Sequence, residues 1–197
     1  MNRKMLAALI AVLIVIISAS IYFTVGEKSE EDQADIAATK GVTDEDWQIH
    51  AISDTGMIAL VPATLKQLSV ELDGNARQTL DDYRAFEYTL KSFGLRLNYI
   101  KAKNDLTSYD YTSLLANMIK DSDGVTDFSF TVSHMKEGDL EGTLLKGKGK
   151  LDGLEMEYDS VVIVRGANLW EVTVSYNSTN EKLKQLAQDI ISSVQIQ

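Results

Sequence analysis

Catalysis by a nucleophile needs an activated side chain with a base in reach, and this 197-residue chain offers few such groups. It has no cysteine and no G-x-S-x-G turn, and its two histidines are His50 and His134. Both fall in segments that alternate as strands do. His134 shares parity with Phe128, Phe130 and Val132, which puts it at the rim of a core face, whereas His50 has the opposite parity to Trp47 and Ile49. Either setting suits a satisfied or solvated strand histidine, so no catalytic residue is assigned. Asp121, Asp123 and Asp127 gather around Gly124, but the alternating ligand spacing and closing glutamate of a calcium loop are missing. A solvated helix exit is the expectation there, with no metal and no cofactor.

Two charged rows remain. Lys146, Lys148 and Lys150 alternate with Gly147 and Gly149, so at a period of two the ammonium groups leave one face of a strand, as a contact for an anion or an acidic partner. The competing expectation is an edge strand guarded by lysines against edge-to-edge pairing, its glycines admitting a bulky neighbour. Glu155, Glu157 and Asp159 form a second row on the following strand. Converging carboxylates can bind a cation or tune one another's protonation, which is the basis for an alternative reading as a carboxylate- or metal-dependent envelope hydrolase. Asn177-Ser178-Thr179 is a formal glycosylation sequon at a helix start, where capping is the better explanation.

The elements that position these groups follow from periodicity. Strands are expected in the segments WQIHAI and MIALV around Ser53-Asp54-Thr55-Gly56, and in AFEYTLKS and LRLNYIKAK around Phe93-Gly94. Residues 62 to 82 are ambiguous between an extended excursion and one short helix. Tyr111, Leu114, Leu115 and Met118 make one face of a helix, with Thr107 and Asp110 at its start and Gly124 at its end. Four strands in an antiparallel meander follow, and the run VVIV is apolar on both faces, which implies a central strand in a covered sheet. Trp170, Val172, Val174 and Tyr176 share one face of the last long strand, with Glu171, Thr173 and Ser175 on the other. Ser178 and Glu181 then form a capping-box pattern, and Leu183, Leu186 and Ile190 lie on a stripe at helical spacing. These apolar residues are read as structural core.

Ahead of the domain, no charge occurs between Lys4 and Glu27, a gap of 22 residues. That suffices for a helix crossing a hydrocarbon core of roughly 30 Å, and the basic start predicts a cytoplasmic amino terminus. Residues 1 to 26 are therefore read as an uncleaved transmembrane anchor, 27 to 46 as an acidic linker and 47 to 197 as one globular domain outside the cytoplasmic membrane. Ser18, Ala19 and Ser20 would suit a signal peptidase, but Ile21, Tyr22 and Phe23 continue the apolar run past them. With Arg3 and Lys4 set aside, 17 of the 19 basic residues stand against 29 acidic ones, which argues against nucleic acid as a partner.

A leading hairpin ending in Val61-Pro62, a middle helix, a meander, then WEVTVSY and a terminal helix ending IISSVQI together resemble the PsbP-like domains. The resemblance covers about residues 47 to 197 and implies an α+β fold. It takes the form of an α/β/α sandwich with an antiparallel sheet of about six to seven strands covered by helices, here preceded by the anchor. It also implies binding or assembly in place of catalysis, since members serve as extrinsic photosystem II subunits or as cell-envelope proteins. The anchor and acidic linker depart from the photosynthetic members. The expected function is a membrane-tethered extracytoplasmic domain, without enzymatic activity, that binds a protein or an envelope component.

Overall fold

Alternation and turn chemistry build ten strands and three helices from the described residues, which are 40–42, 45–70, 72, 74, 76–137 and 140–197 of the computed structural model. In chain order these are β1 (Trp47–Ala51), β2 (Met57–Pro62), β3 (Lys66–Leu68), α1 (Ala76–Thr79), β4 (Leu80–Leu90) and β5 (Phe93–Ala102). Then come α2 (Tyr111–Lys120), β6 (Val125–Glu137), β7 (Leu140–Leu151), β8 (Leu154–Arg165), β9 (Asn168–Asn177), α3 (Glu181–Ser193) and β10 (Gln195–Ile196). The anchor expected over residues 1 to 26 lies outside the described residues. Among those described, no helix is long and apolar enough to cross a membrane.

Seven strands form one sheet in the order β3-β4-β5-β9-β8-β7-β6, every neighbouring pair antiparallel. The meander β6 to β9 follows the sequence expectation. Asp152 (φ 50°) and Gly153 (φ 86°) make the two-residue turn between β7 and β8, where positive φ at both positions matches the right-handed twist of the flanking strands. The β4–β5 turn differs from expectation. Leu90 pairs with Phe93, so Lys91 and Ser92 turn the chain and Phe93-Gly94 lies inside β5. Glycine makes room there for Ser175, because a Cβ on Gly94 would stand 2.8 Å from Ser175 Oγ on the neighbouring strand and the hydroxyl would have to turn away.

The leading hairpin leaves this sheet. β1 and β2 pair with β10 in a second sheet of three strands, order β1-β2-β10. Trp170 Nε1 donates to Thr55 O across 2.7 Å, and Leu60 N donates to Ser193 Oγ across 2.7 Å, which tie the small sheet to β9 and α3. The packed domain also takes in Val42, which is buried and accepts a hydrogen bond from Trp47 Nε1 at 2.9 Å.

Each face of the seven-stranded sheet buries its own core. On one, Trp170, Val172, Val174 and Tyr176 meet Leu183, Ala187 and Ile190 of α3, with Leu186 partly buried beside them and β2 alongside. On the other, Tyr111, Leu115 and Ile119 of α2 cover Tyr83, Ile100, Met156, Val162 and Leu169. Val161, Val162 and Ile163 are buried on both sides, as a central strand between two helical layers requires. Both helix starts sit later than expected. Asp110 is the N-cap of α2, accepting from Ser113 N at 3.0 Å, while Thr107 N donates to Asp105 Oδ1. Asn180 caps α3 by accepting from Lys182 N and Leu183 N, and Asn177 is buried with its Oδ1 taken up by Thr179. In both cases a carboxylate or amide oxygen stands immediately before the first helical residue, within reach of the free N–H groups.

Candidate functional site

Antiparallel registers set out the sheet face beneath α2 in rows. One row runs Glu87, Arg96, Thr173, Ser160 across β4, β5, β9 and β8. The next row toward the β4–β5 turn runs Thr89, Gly94, Ser175, Tyr158, and on the other side lie Ala85, Asn98, Glu171, Val162. Nine of these twelve residues are polar although α2 packs on this face, and Glu171 is only 1% exposed.

Glu171 is the hub. Its Oε2 accepts from Asn98 Nδ2 at 2.9 Å and from Tyr111 OH at 2.7 Å, and its Oε1 accepts from Thr173 Oγ1 at 2.8 Å. Tyr83 OH donates to Asn98 Oδ1 at 2.8 Å, which orients the amide. Thr173 Oγ1 also lies 2.8 Å from Ser160 Oγ. A hydroxyl has one proton, so when Thr173 donates to Glu171 it accepts from Ser160. Burial pushes the Tyr83 and Tyr111 phenols well above their usual range, outweighing the downward pull of the Arg96 guanidinium. Both remain donors at any physiological pH. A buried carboxylate held by three donors is a charge committed mainly to structure.

Beside this hub a partly open cavity of about 90 Å³ lies between the row Glu87–Arg96–Thr173 and the helix. Its apolar wall is Leu115 and Ile119 of α2 with Val125 and Leu151. Four buried polar atoms belonging to lining residues make no hydrogen bond among the described residues: Glu87 Oε2, Arg96 Nε, Arg96 Nη2 and Tyr158 OH. Burial pushes the Tyr158 phenol up to about 12, so it too stays protonated. Each orphaned buried polar atom costs about 1–3 kcal/mol unless something in the cavity satisfies it.

The lysine row sits on the opposite face, and β7 is not an edge. It is flanked by β6 and β8, so the expected guard against edge pairing does not hold. The row instead faces the carboxylate row of β8 in register: Lys146 opposite Asp159, Lys148 opposite Glu157, Lys150 opposite Glu155. Lys148 Nζ lies 2.8 Å from Glu157 Oε1, and Lys150 Nζ lies 3.4 Å from Glu155 Oε1 and 3.5 Å from Asp127 Oδ2. Tyr176 OH reaches Glu157 Oε2 at 2.9 Å and Asp159 Oδ2 at 3.2 Å. Burial opposes ionisation of both carboxylates. It wins at Asp159, whose carboxyl is raised, while hydrogen bonds from Lys148 and Tyr176 hold Glu157 below its ordinary value. The glycines between the lysines do admit a large neighbour, because a Cβ on Gly147 would stand 2.7 Å from the Phe128 ring and one on Gly149 3.3 Å from it.

The histidines and the aspartates around Gly124 stay apart. His50 and His134 are both exposed, His134 Nε2 lying 3.2 Å from Glu141 Oε1. Asp121 is the C-cap of α2, and among the described residues no group of three or more His, Asp or Glu side chains is placed to hold a metal ion. Arg96, Glu87 and Glu171 carried no motif. The signal available was the VVIV run: a covered sheet buries both faces of β9, so a carboxylate alternating with Trp170 and Val172 had to be buried too.

No family model matches the chain, and no curated protein matches it. Among solved structures it is similar to the cyanobacterial PsbP protein CyanoP of Synechocystis sp. PCC 6803, at 13% identity over 88% of this chain and 99% of that one, with a TM-score of 0.54. It is also similar to LpqN of Mycobacterium tuberculosis, described as involved in cell envelope biogenesis, at 15% identity over 80% of this chain and 95% of that one, TM-score 0.41. The likeness to CyanoP establishes a PsbP-like fold, mostly antiparallel sheet with a few helices.

Proposed function

We propose that this chain is a non-catalytic domain held outside the cytoplasmic membrane by its amino-terminal segment, and that it binds a protein or envelope component along β6. The observation that carries the reading is the outer edge of the main sheet. β6 runs for 13 residues and, among the described residues, has a neighbour on one side only, and Phe130 (41%) and Val132 (48%) are exposed on it. A long edge with apolar side chains and free backbone donors and acceptors is a ready template for a partner strand. The other edge, β3, has three residues and offers little.

The PsbP-like fold is compatible with such a role, and the site chemistry supports it. Glu171 is committed to structure, and the carboxylates of β8 that suggested a hydrolase face lysines in register. Lys146, Lys148 and Lys150 form a second contact within the same proposal, for an acidic partner whose binding would weaken with salt. Photocrosslinking groups placed singly at Phe130 and Val132 in intact cells test the edge, with Lys182 on α3 as the control position. Capture of one defined species from β6 and not from Lys182 is expected, reduced when the other of the two β6 positions is changed to Ser. Capture of that species to the same extent from Lys182 would overturn the edge assignment. The anchor is tested by fractionating cells and sequencing the mature amino terminus. A soluble product beginning near residue 21 would overturn it.

A further inference from the structure

We propose that the cavity beneath α2 is a binding site for a small zwitterion, an α-amino acid with a short apolar side chain, whose carboxylate meets Arg96 and whose ammonium meets Glu87. The inference is independent of the β6 edge. It rests on the polarity of the orphaned atoms. Arg96 presents two buried donor nitrogens, Glu87 one buried acceptor oxygen and Tyr158 a buried hydroxyl, all on residues lining one cavity. Arg96 and Glu87 are direct cross-strand partners on the same face of β5 and β4.

Charge decides the ligand class. An anion alone would satisfy the guanidinium but leave Glu87 facing a like charge, and a cation alone would do the reverse with Arg96. Glu171 keeps its charge beside them, but three neutral donors already engage its oxygens, which leaves Glu87 as the carboxylate with a buried oxygen still to be matched. A zwitterion matches both groups and adds no net charge to a desolvated site, where an unmatched charge is costly. Leu115, Ile119, Val125 and Leu151 give the cavity an apolar side, which asks for a hydrocarbon group, beside the polar Thr173 and Ser175 of the sheet. The cavity of about 90 Å³ is several times the roughly 10–15 Å³ that one water needs, so a small ligand such as alanine has room.

Calorimetric titration of the purified full chain with L-alanine, glycine, propionate and ethylammonium tests the site. L-alanine should bind saturably and more tightly than any of the other three, glycine lacking the methyl group and the two ions each lacking one charge. Glu87→Gln should weaken L-alanine by about tenfold or more, the loss of one charge-assisted hydrogen bond, while strengthening propionate. Arg96→Gln should abolish binding of both. Should Arg96→Gln not fold, Leu115→Phe fills the cavity from the apolar side without touching either charge, and it should also abolish binding. The proposal is overturned if no ligand gives a saturable signal, in which case the cavity holds water only. It is equally overturned if propionate matches L-alanine in the unsubstituted protein, or if binding survives Leu115→Phe.

Discussion

Replacing Glu171 with leucine removes the acceptor on which three buried donors converge. Thr173 can rotate its hydroxyl toward Ser160 Oγ, 2.8 Å away, and so rescue itself. Asn98 Nδ2 and Tyr111 OH have no such escape, since both residues are 1% exposed. Two orphaned donors at about 1–3 kcal/mol each give an expected loss of about 2–6 kcal/mol, a large part of a usual total stability of about 5–15 kcal/mol. Glu171→Gln should be milder, because the amide oxygen can still face Asn98 and Tyr111 while its NH₂ points at Thr173, whose hydroxyl can turn to accept. Urea unfolding followed by the fluorescence of Trp47 and Trp170 measures both. The sharper test is a cycle with Tyr111→Phe. In the native background that change deletes a hydrogen bond to a buried carboxylate, worth about 1.5–3 kcal/mol. In the Glu171→Leu background it removes a hydroxyl that has lost its acceptor and should cost nothing or stabilise. Equal effects of Tyr111→Phe in the two backgrounds, or a Glu171→Leu variant no less stable than Glu171→Gln, would refute the assignment of Glu171 as the hub.

Asp110→Ala should destabilise by about 1 kcal/mol, the usual loss for an N-cap. Hydrogen bonds from Ser113 hold the Asp110 carboxyl below its ordinary 3.8, so the difference between native protein and variant should be fully present above that value. It should disappear as pH falls through the lowered one, and a gap in unfolding midpoint that persists in strong acid would contradict this. Gly142→Ala should cost more than Gly147→Ala, because the new Cβ would meet the Val162 carbonyl oxygen at 2.7 Å in the first case and a movable Phe128 ring at 2.7 Å in the second. Overpacking of this kind typically costs about 1–3 kcal/mol, and comparing unfolding midpoints ranks the two. Changing Lys146, Lys148 and Lys150 together to Gln should leave the state of association unchanged, since β7 is paired on both sides; light scattering that shows new oligomers would contradict it. Ending the chain before Ser178 should abolish cooperative unfolding, because the cover of Trp170, Val172 and Val174 leaves with α3.

Much of the scaffold is local and was therefore legible. Alternation in β6 to β9, Asp152-Gly153 in its turn, the stripes of α2 and α3 and the double-sided burial implied by VVIV all depend on residues within one or two elements. Local patterns also misled where neighbouring residues compete for one job. Ser178 and Asn180 both suit an N-cap, and only the backbone path after Asn177 selects the second. Phe93-Gly94 reads as a turn until Gly94 is seen to make room for Ser175.

The cavity could not be read in this way. Glu87, Arg96 and Thr173 meet because β5 pairs with β9 across more than 70 residues of chain, and because the β4–β5 and β5–β9 registers agree to the residue. A one-residue slip in either pairing would send one member to the opposite face. Alternating polar residues on a strand mean solvent when a sheet is bare and a buried network when a helix covers it, and the covering helix α2 is a separate element of the chain. The same holds for the lysine row: its spacing in the sequence put three ammonium groups on one face, but strand order alone placed β7 inside the sheet and the β8 carboxylates beside them. The sequence by itself thus determined the long strands, α2 and α3 and their apolar faces, while it left residues 62 to 82 open and ran β10 into the terminal helix. Tertiary pairing decided which polar residues are buried together, because side-chain periodicity carries no information about the neighbour a face will meet.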